Sequence, residues 1–157
     1  MFGAVAPTSM THCSTTPLCK LLTNCVPLSS PKLAAQSRMP AFFIAIVRDP
    51  VTRSSLASHA AAGFGEMVKA VVDVDRGLMA IGAELHADEE SALLEDGSRQ
   101  ASLWGINLYP GEPDEGWIEF DSMINVRPAQ GNRSRDVSDP AIQTAIRGIV
   151  SALVTIP

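Results

Sequence analysis

The chain has 157 residues, 46% of them hydrophobic and 5% aromatic, with a formal net charge of −5. That length supports one domain with a tail, and no stretch approaches the ~20 consecutive apolar residues of a membrane-spanning helix, so a soluble protein is expected. Residues 1–38 carry +3 and no acid while the remainder carries −8, a balance that repels phosphate backbones and speaks against general nucleic-acid binding.

Residues 1–38 are rich in Ser, Thr and Pro and show no sustained periodicity. Such a segment buries too little apolar surface to offset the entropy of ordering, so a disordered leader is expected. Its composition suits an organelle transit peptide. It equally suits a start placed upstream of the true one at Met39, and the strand-like run directly after Met39 favours that second reading. Cys13, Cys19 and Cys25 all fall in this leader. An odd count excludes a fully paired disulfide framework, and their spacing with His12 matches a four-ligand zinc site poorly. A reducing, cytoplasmic setting is the simpler expectation, with an organelle as the alternative if the leader is genuine.

Residues 39–157 read as a single domain. Residues 42–47 form a short apolar run, a predicted strand. Asp49-Pro50 supplies an N-cap followed by proline, predicting a helix to about Ala62 that Gly63 ends. Val51, Leu56, Ala60 and Phe64 give it a weak apolar stripe. Residues 68–74 and 78–83 are apolar runs joined by Asp75-Arg-Gly77, a hairpin whose glycine suits a left-handed loop position. Both faces of this hairpin are mostly apolar, with Lys69 and Asp73 as exceptions, which predicts a central place in the sheet. Asp88 reads as the N-cap of a second helix ending at Gly97.

Residues 104–109 place Trp104, Ile106 and Leu108 on one face of a further strand. After a polar Pro/Gly loop, residues 117–127 show the longest alternation in the chain, with Ile118, Phe120, Ile124 and Val126 on one side. Ser138-Asp-Pro140 repeats the cap-plus-proline signal, and Ile142, Ile146, Ile149, Val150 and Leu153 form a clean helical stripe. The order β-α-β-β-α-β-β-α predicts an α+β fold. Its sheet is antiparallel or mixed, of about five strands, with helices packed on one face.

Three constellations could carry chemistry. If the strand persists to Asp88, then Glu84, His86 and Asp88 project from one face, where they could hold a divalent metal or serve as an acid–base group with Asp121. The plainer alternative has Asp88 capping the helix, Glu84 paired with Lys69 or Arg127, and His86 at the sheet edge. On the long alternating strand, Trp117, Glu119, Asp121, Asn125 and Arg127 share the polar face. With Asn107 and His86 from neighbouring strands they would line a polar hollow; otherwise they are the wet face of an antiparallel sheet. Finally, Arg127, Arg133 and Arg135 surround a Gly-Asn turn that could hold a phosphate or carboxylate, or be an exposed loop. No Gly-rich phosphate loop, dinucleotide fingerprint or nucleophile elbow occurs, and residues 39–157 contain no cysteine.

The stretch from Met67 to Ile142 and on to Ile146 resembles a bacterial and cyanobacterial family of uncharacterised proteins, domain of unknown function 5674. The resemblance rests on Met67-Val-Lys-Ala-Val-Val-Asp73, Arg76-Gly77, Glu84-Leu-His-Ala-Asp88, Leu94-Glu-Asp-Gly-Ser98, Leu103-Trp-Gly-Ile-Asn107, Ser122-Met-Ile-Asn-Val-Arg-Pro128, Asn132-Arg-Ser-Arg135 and Asp139-Pro-Ala-Ile142. One departure is Ala83, where a second glycine beside Gly82 is expected, which bears on how closely backbones approach there. The resemblance implies a small cytoplasmic protein and supplies no catalytic residues. Two functional readings follow from the residues. One is a binding or regulatory module for a small anionic ligand or protein partner. The other is a hydrolase built on Glu84, His86 and Asp88, metal-dependent or acid–base.

Overall fold

The computed structural model describes residues 43–156. The leader expected over residues 1–38, with its three cysteines, lies outside the described residues. Five strands form one sheet: β1 (Ala45–Val47), β3 (Val68–Asp73), β4 (Leu78–Ile81), β5 (Leu103–Leu108) and β6 (Ile118–Glu119), in the spatial order β1-β4-β3-β5-β6. Every neighbouring pair is antiparallel. Two further short strands, β2 (Val51–Thr52) and β7 (Val154–Thr155), pair in parallel as a separate ribbon. Three helices complete the α+β fold: α1 (Arg53–Ala62), α2 (His86–Glu95) and α3 (Pro140–Leu153). Among the described residues no helix is long and apolar enough to cross a membrane.

The β3–β4 hairpin forms as its sequence demands. The Asp73 carboxylate accepts the N–H groups of Asp75 (2.9 Å) and Arg76 (3.1 Å), pre-forming the turn, and Gly77 takes the left-handed conformation with φ of 66°. Burial of both hairpin faces is real, and it requires cover on both. Val68, Ala70 and Val72 join Leu56 and Ala60 of α1 and Ile146, Val150 and Leu153 of α3 in the larger core. Val71, Leu78, Ala80 and Leu103 meet Leu93 of α2 in a smaller one. The helices are therefore shared between the two faces rather than gathered on one.

Two helix starts differ from expectation. Thr52, not Asp49, caps α1, its hydroxyl accepting from Ser55 N–H at 3.2 Å. Pairing of β2 with β7 holds Val51 and Thr52 extended, which delays the helix. α2 begins at His86 after Leu85, with no side chain capping it, so Asp88 lies inside the first turn. By contrast, Asp139 caps α3 as expected, accepting from Ala141 N–H at 2.8 Å with Pro140 at the first helical position.

The expected long strand over 117–127 shrinks to the two residues of β6, followed by 3₁₀ turns at Met123–Asn125 and Pro128–Gln130. The cause is local. Asn125 acts as a surrogate strand: its Oδ1 accepts Gly105 N–H at 2.8 Å and its Nδ2 donates to Gly105 O at 2.9 Å. Gly105 also lets the chain cross closely, since a Cβ there would collide with the Ser122 side chain. At Gly82, with φ of 98°, a Cβ would collide with the Phe43 carbonyl oxygen. Close approach at this bend therefore needs Gly82 alone and tolerates Ala83.

Candidate functional site

Strand registry builds a polar row on the α2 side of the sheet. Lys69 of β3 lies opposite Asn107 of β5, and Asn107 lies opposite Glu119 of β6. Because side chains alternate, these three project from one face, on the same side as Val71 and Leu103. The first turn of α2 and residues 121–124 rise around the row and enclose a cleft of about 510 Å³. His86, Tyr109, Asp121, Ser122 and Arg135 complete its polar lining, with Met67, Leu85, Met123 and Ile124 as apolar wall.

Hydrogen bonds fix most of these groups. Asn107 Nδ2 donates to Glu119 Oε2 (2.9 Å) and to the Asp121 carbonyl (3.3 Å), two acceptors that settle the orientation of the amide. Tyr109 donates to the same Glu119 Oε2 at 2.9 Å. Burial, followed by the Glu119 hydrogen bond, pushes the Tyr109 hydroxyl above its ordinary pKa, so it stays a donor. Arg135 grips Asp121 side-on, Nη2 to Oδ2 and Nε to Oδ1, both at 2.8 Å. His86 lies against the strand, its Nε2 at 2.9 Å from the Ile106 carbonyl. A carbonyl only accepts, so Nε2 carries the proton and Nδ1 is the bare nitrogen. Burial lowers the His86 pKa, outweighing the favourable hydrogen bond to Ile106, and keeps the ring neutral.

Two buried oxygens at the cleft and the lysine beside it are only partly engaged. Asn107 Oδ1 and Ser122 Oγ are shut off from solvent and, among the described residues, form no hydrogen bond; Ser122 Oγ packs against Gly105. Lys69 lies over the Phe64 ring at 5.3 Å, and among the described residues no carboxylate stands within ion-pair distance of it. Among the described residues no side chain caps the first turn of α2, and its Leu85–Ala87 end lines the cleft.

The structure thus brings together His86, Asn107, Glu119 and Asp121 from four separate segments. It does not bring the other expected residues to them. Glu84 and Asp88 line a different groove along α2, with Ser91 and Glu95, because the helix that starts at His86 turns alternate residues to different sides. Among the described residues no three His, Cys, Asp or Glu side chains stand together as a metal ion would need. Trp117 packs under Arg53, 4.7 Å from the guanidinium, in another groove. Asn125 is spent on Gly105.

Nor does the arginine turn form an anion nest. Arg127 is a clamp, donating to Ile124 O (2.7 Å) and Gln100 O (2.5 Å) and pairing with Glu90 (3.3 Å). Asn132 organises the loop instead, its Nδ2 donating to the carbonyls of Asn125, Ser134 and Asp136. Arg133 is exposed and outside the cleft, and only Arg135 reaches it. Lys69, Tyr109 and Ser122 were not expected at the site. Lys69 had a readable signal, as the one cation in a central strand whose other residues are apolar save Asp73.

No curated protein and no solved structure matches the chain. Residues 45–153, more than two thirds of the sequence, match a family described as protein of unknown function, and this span contains every residue that lines the cleft. The chain belongs to that family, DUF5674.

Proposed function

We propose that the protein is a cytoplasmic binding module for a small polar ligand with an anionic group, held in the cleft between the Lys69–Asn107–Glu119 row and the start of α2. One observation carries this reading: strand registry sets Lys69, Asn107 and Glu119 in one row on the wall of a single cleft that His86, Tyr109 and Arg135 also line. Lys69 and the uncapped α2 amides offer the positive field an anion needs. A volume of about 510 Å³ suits a small molecule rather than a protein segment.

Thermal unfolding in the presence of a panel of organic acids and nucleotides tests this. A true ligand at 100 times its Kd adds roughly 2.7 kcal/mol. Lys69→Met should abolish that gain while Arg133→Ala, outside the cleft, preserves it. No stabilisation by any member of the panel, or equal loss in both variants, would refute the assignment.

A further inference from the structure

β1 is an edge strand. It pairs with β4 on one side, and among the described residues no strand lies on the other. Its sequence Ala-Ile-Val holds no proline and no charge that would deter a further strand. α2 runs alongside it: the bend that leads into the helix abuts Phe43 at Gly82, and Asp96 at the helix end pairs with Arg48. Between the two lies a groove of about 570 Å³. Ile44, Ala83 and Ala92 form its apolar floor, and the exposed Glu84, Asp88, Ser91 and Glu95 form its rim.

The rim is acidic and uncompensated. Among the described residues none of Glu84, Asp88 and Glu95 belongs to an ion pair, and Arg48 and Arg76 are both taken by Asp96. Asp88, Ser91, Ala92 and Glu95 fall at i, i+3, i+4 and i+7, so one helix face meets Ile44 across the groove. Helix stability does not account for Glu95, the last residue of α2, where the helix dipole disfavours an acid.

We infer that this edge takes an extended segment of another protein with lysine or arginine at alternate positions. The segment adds a strand to β1 through main-chain hydrogen bonds. Its cationic heads lie against Glu84, Asp88 and Glu95, and their aliphatic stems cover Ile44 and Ala92. The dimensions agree. Same-face residues of a strand repeat about every 7 Å, and Asp88 and Glu95 stand about 10 Å apart along the helix, a difference that lysine stems absorb. A second copy of this chain fits poorly, because pairing β1 with β1 would bring two acidic helix faces together. The groove shares no residue with the small-ligand cleft, so the two readings stand or fall separately.

Fluorescence anisotropy on the full-length protein with three labelled heptapeptides tests the inference. One alternates valine and lysine, one alternates valine and glutamate, and the third is the lysine peptide with every backbone amide N-methylated, which keeps the charge and loses the donors. The lysine peptide should bind at least tenfold more tightly than the other two. Asp88→Asn combined with Glu95→Gln should weaken it at least tenfold while circular dichroism shows the variant folded. Glu112→Gln combined with Glu115→Gln, in the loop before β6, should leave its binding unchanged. Equal binding of the N-methylated peptide would mean that no strand is added, and equal weakening by both double variants would mean general attraction to an acidic surface. Either result overturns the inference, as does a lysine peptide that fails to bind. A concentration-dependent dimer in sedimentation that the lysine peptide does not dissociate would assign the edge to a second copy and overturn it as well.

Discussion

On the α1/α3 side of the sheet, Leu56, Ile106, Ile146 and Val150 are fully buried among apolar neighbours. On the α2 side the apolar patch of Val71, Ala80, Leu93 and Leu103 is short, and one step along the same strands it gives way to Lys69, Asn107 and Glu119. The same strands thus present a dry face and a divided one. Their alternation lets each residue serve one side without disturbing the other. Cohesion comes chiefly from the first face, and the second is free to carry unsatisfied polar atoms.

The division can be broken or sharpened by substitution. Ile146→Ala, deep in the larger core, should cost roughly 2–5 kcal/mol in urea unfolding. The ligand affinity of the folded protein should not change, and a parallel loss of affinity would show that the faces are coupled. Asn125→Ala should cost about 3 kcal/mol, since it strips partners from both backbone groups of Gly105 and from the Arg135 carbonyl. Because the Ser122–Ile124 wall hangs on that contact, this variant should also lose binding. Retained binding would mean the wall is held otherwise.

Glu89 offers a test by pH. It is fully buried on α2, with Oε1 accepting Ala83 N–H at 3.1 Å and Oε2 unpartnered. Burial pushes its pKa from an ordinary 4.5 up to about 8, against the backbone hydrogen bonds and Lys69. The folded state therefore keeps a proton that the unfolded chain releases. Stability from this group is complete below about pH 4.5 and falls as pH rises towards 8, by at most about 1.4 kcal/mol per pH unit. His86 works in the opposite sense, only below its ordinary 6.5, where the unfolded chain gains a proton first. Between pH 6.5 and 8 the wild type should thus lose stability while Glu89→Gln stays level. Parallel stability curves for the two proteins would show that Glu89 is charged when folded.

The smallest expected effect is the most diagnostic. Ser122→Ala removes a buried hydroxyl without a partner among the described residues, so stability should be unchanged or rise by up to about 1 kcal/mol. A loss of stability would show that Ser122 is structural.

Much of this was legible in the residues. The hairpin turn could be read from Asp75-Arg-Gly77, α3 from Asp139-Pro140 and its stripe, and His86, Asn107, Glu119 and Asp121 from their polarity beside apolar runs. The long strand could not. Ile118, Phe120, Ile124 and Val126 alternate as a strand should, but alternation does not say whether a partner backbone is available. Gly105 and Asn125, twenty positions apart, decide that together, and neither signals it alone. Trp117 and Arg127 were misplaced for the same reason, since both lie outside the two residues where strand periodicity operates. The Glu84–His86–Asp88 grouping failed because helix geometry begins at His86, one turn earlier than Asp88 suggested as a cap.

The ribbon of Val51–Thr52 with Val154–Thr155 has a consequence for biosynthesis. Its halves lie more than a hundred positions apart, so the loop it closes is nearly the whole domain and among the slowest contacts to form. A nascent chain that has reached residue 150 lacks β7, so Val51 and Thr52 have no partner strand and the first helix lacks that anchor. The ribbon should accordingly close late, only after Val154 and Thr155 have become available to pair.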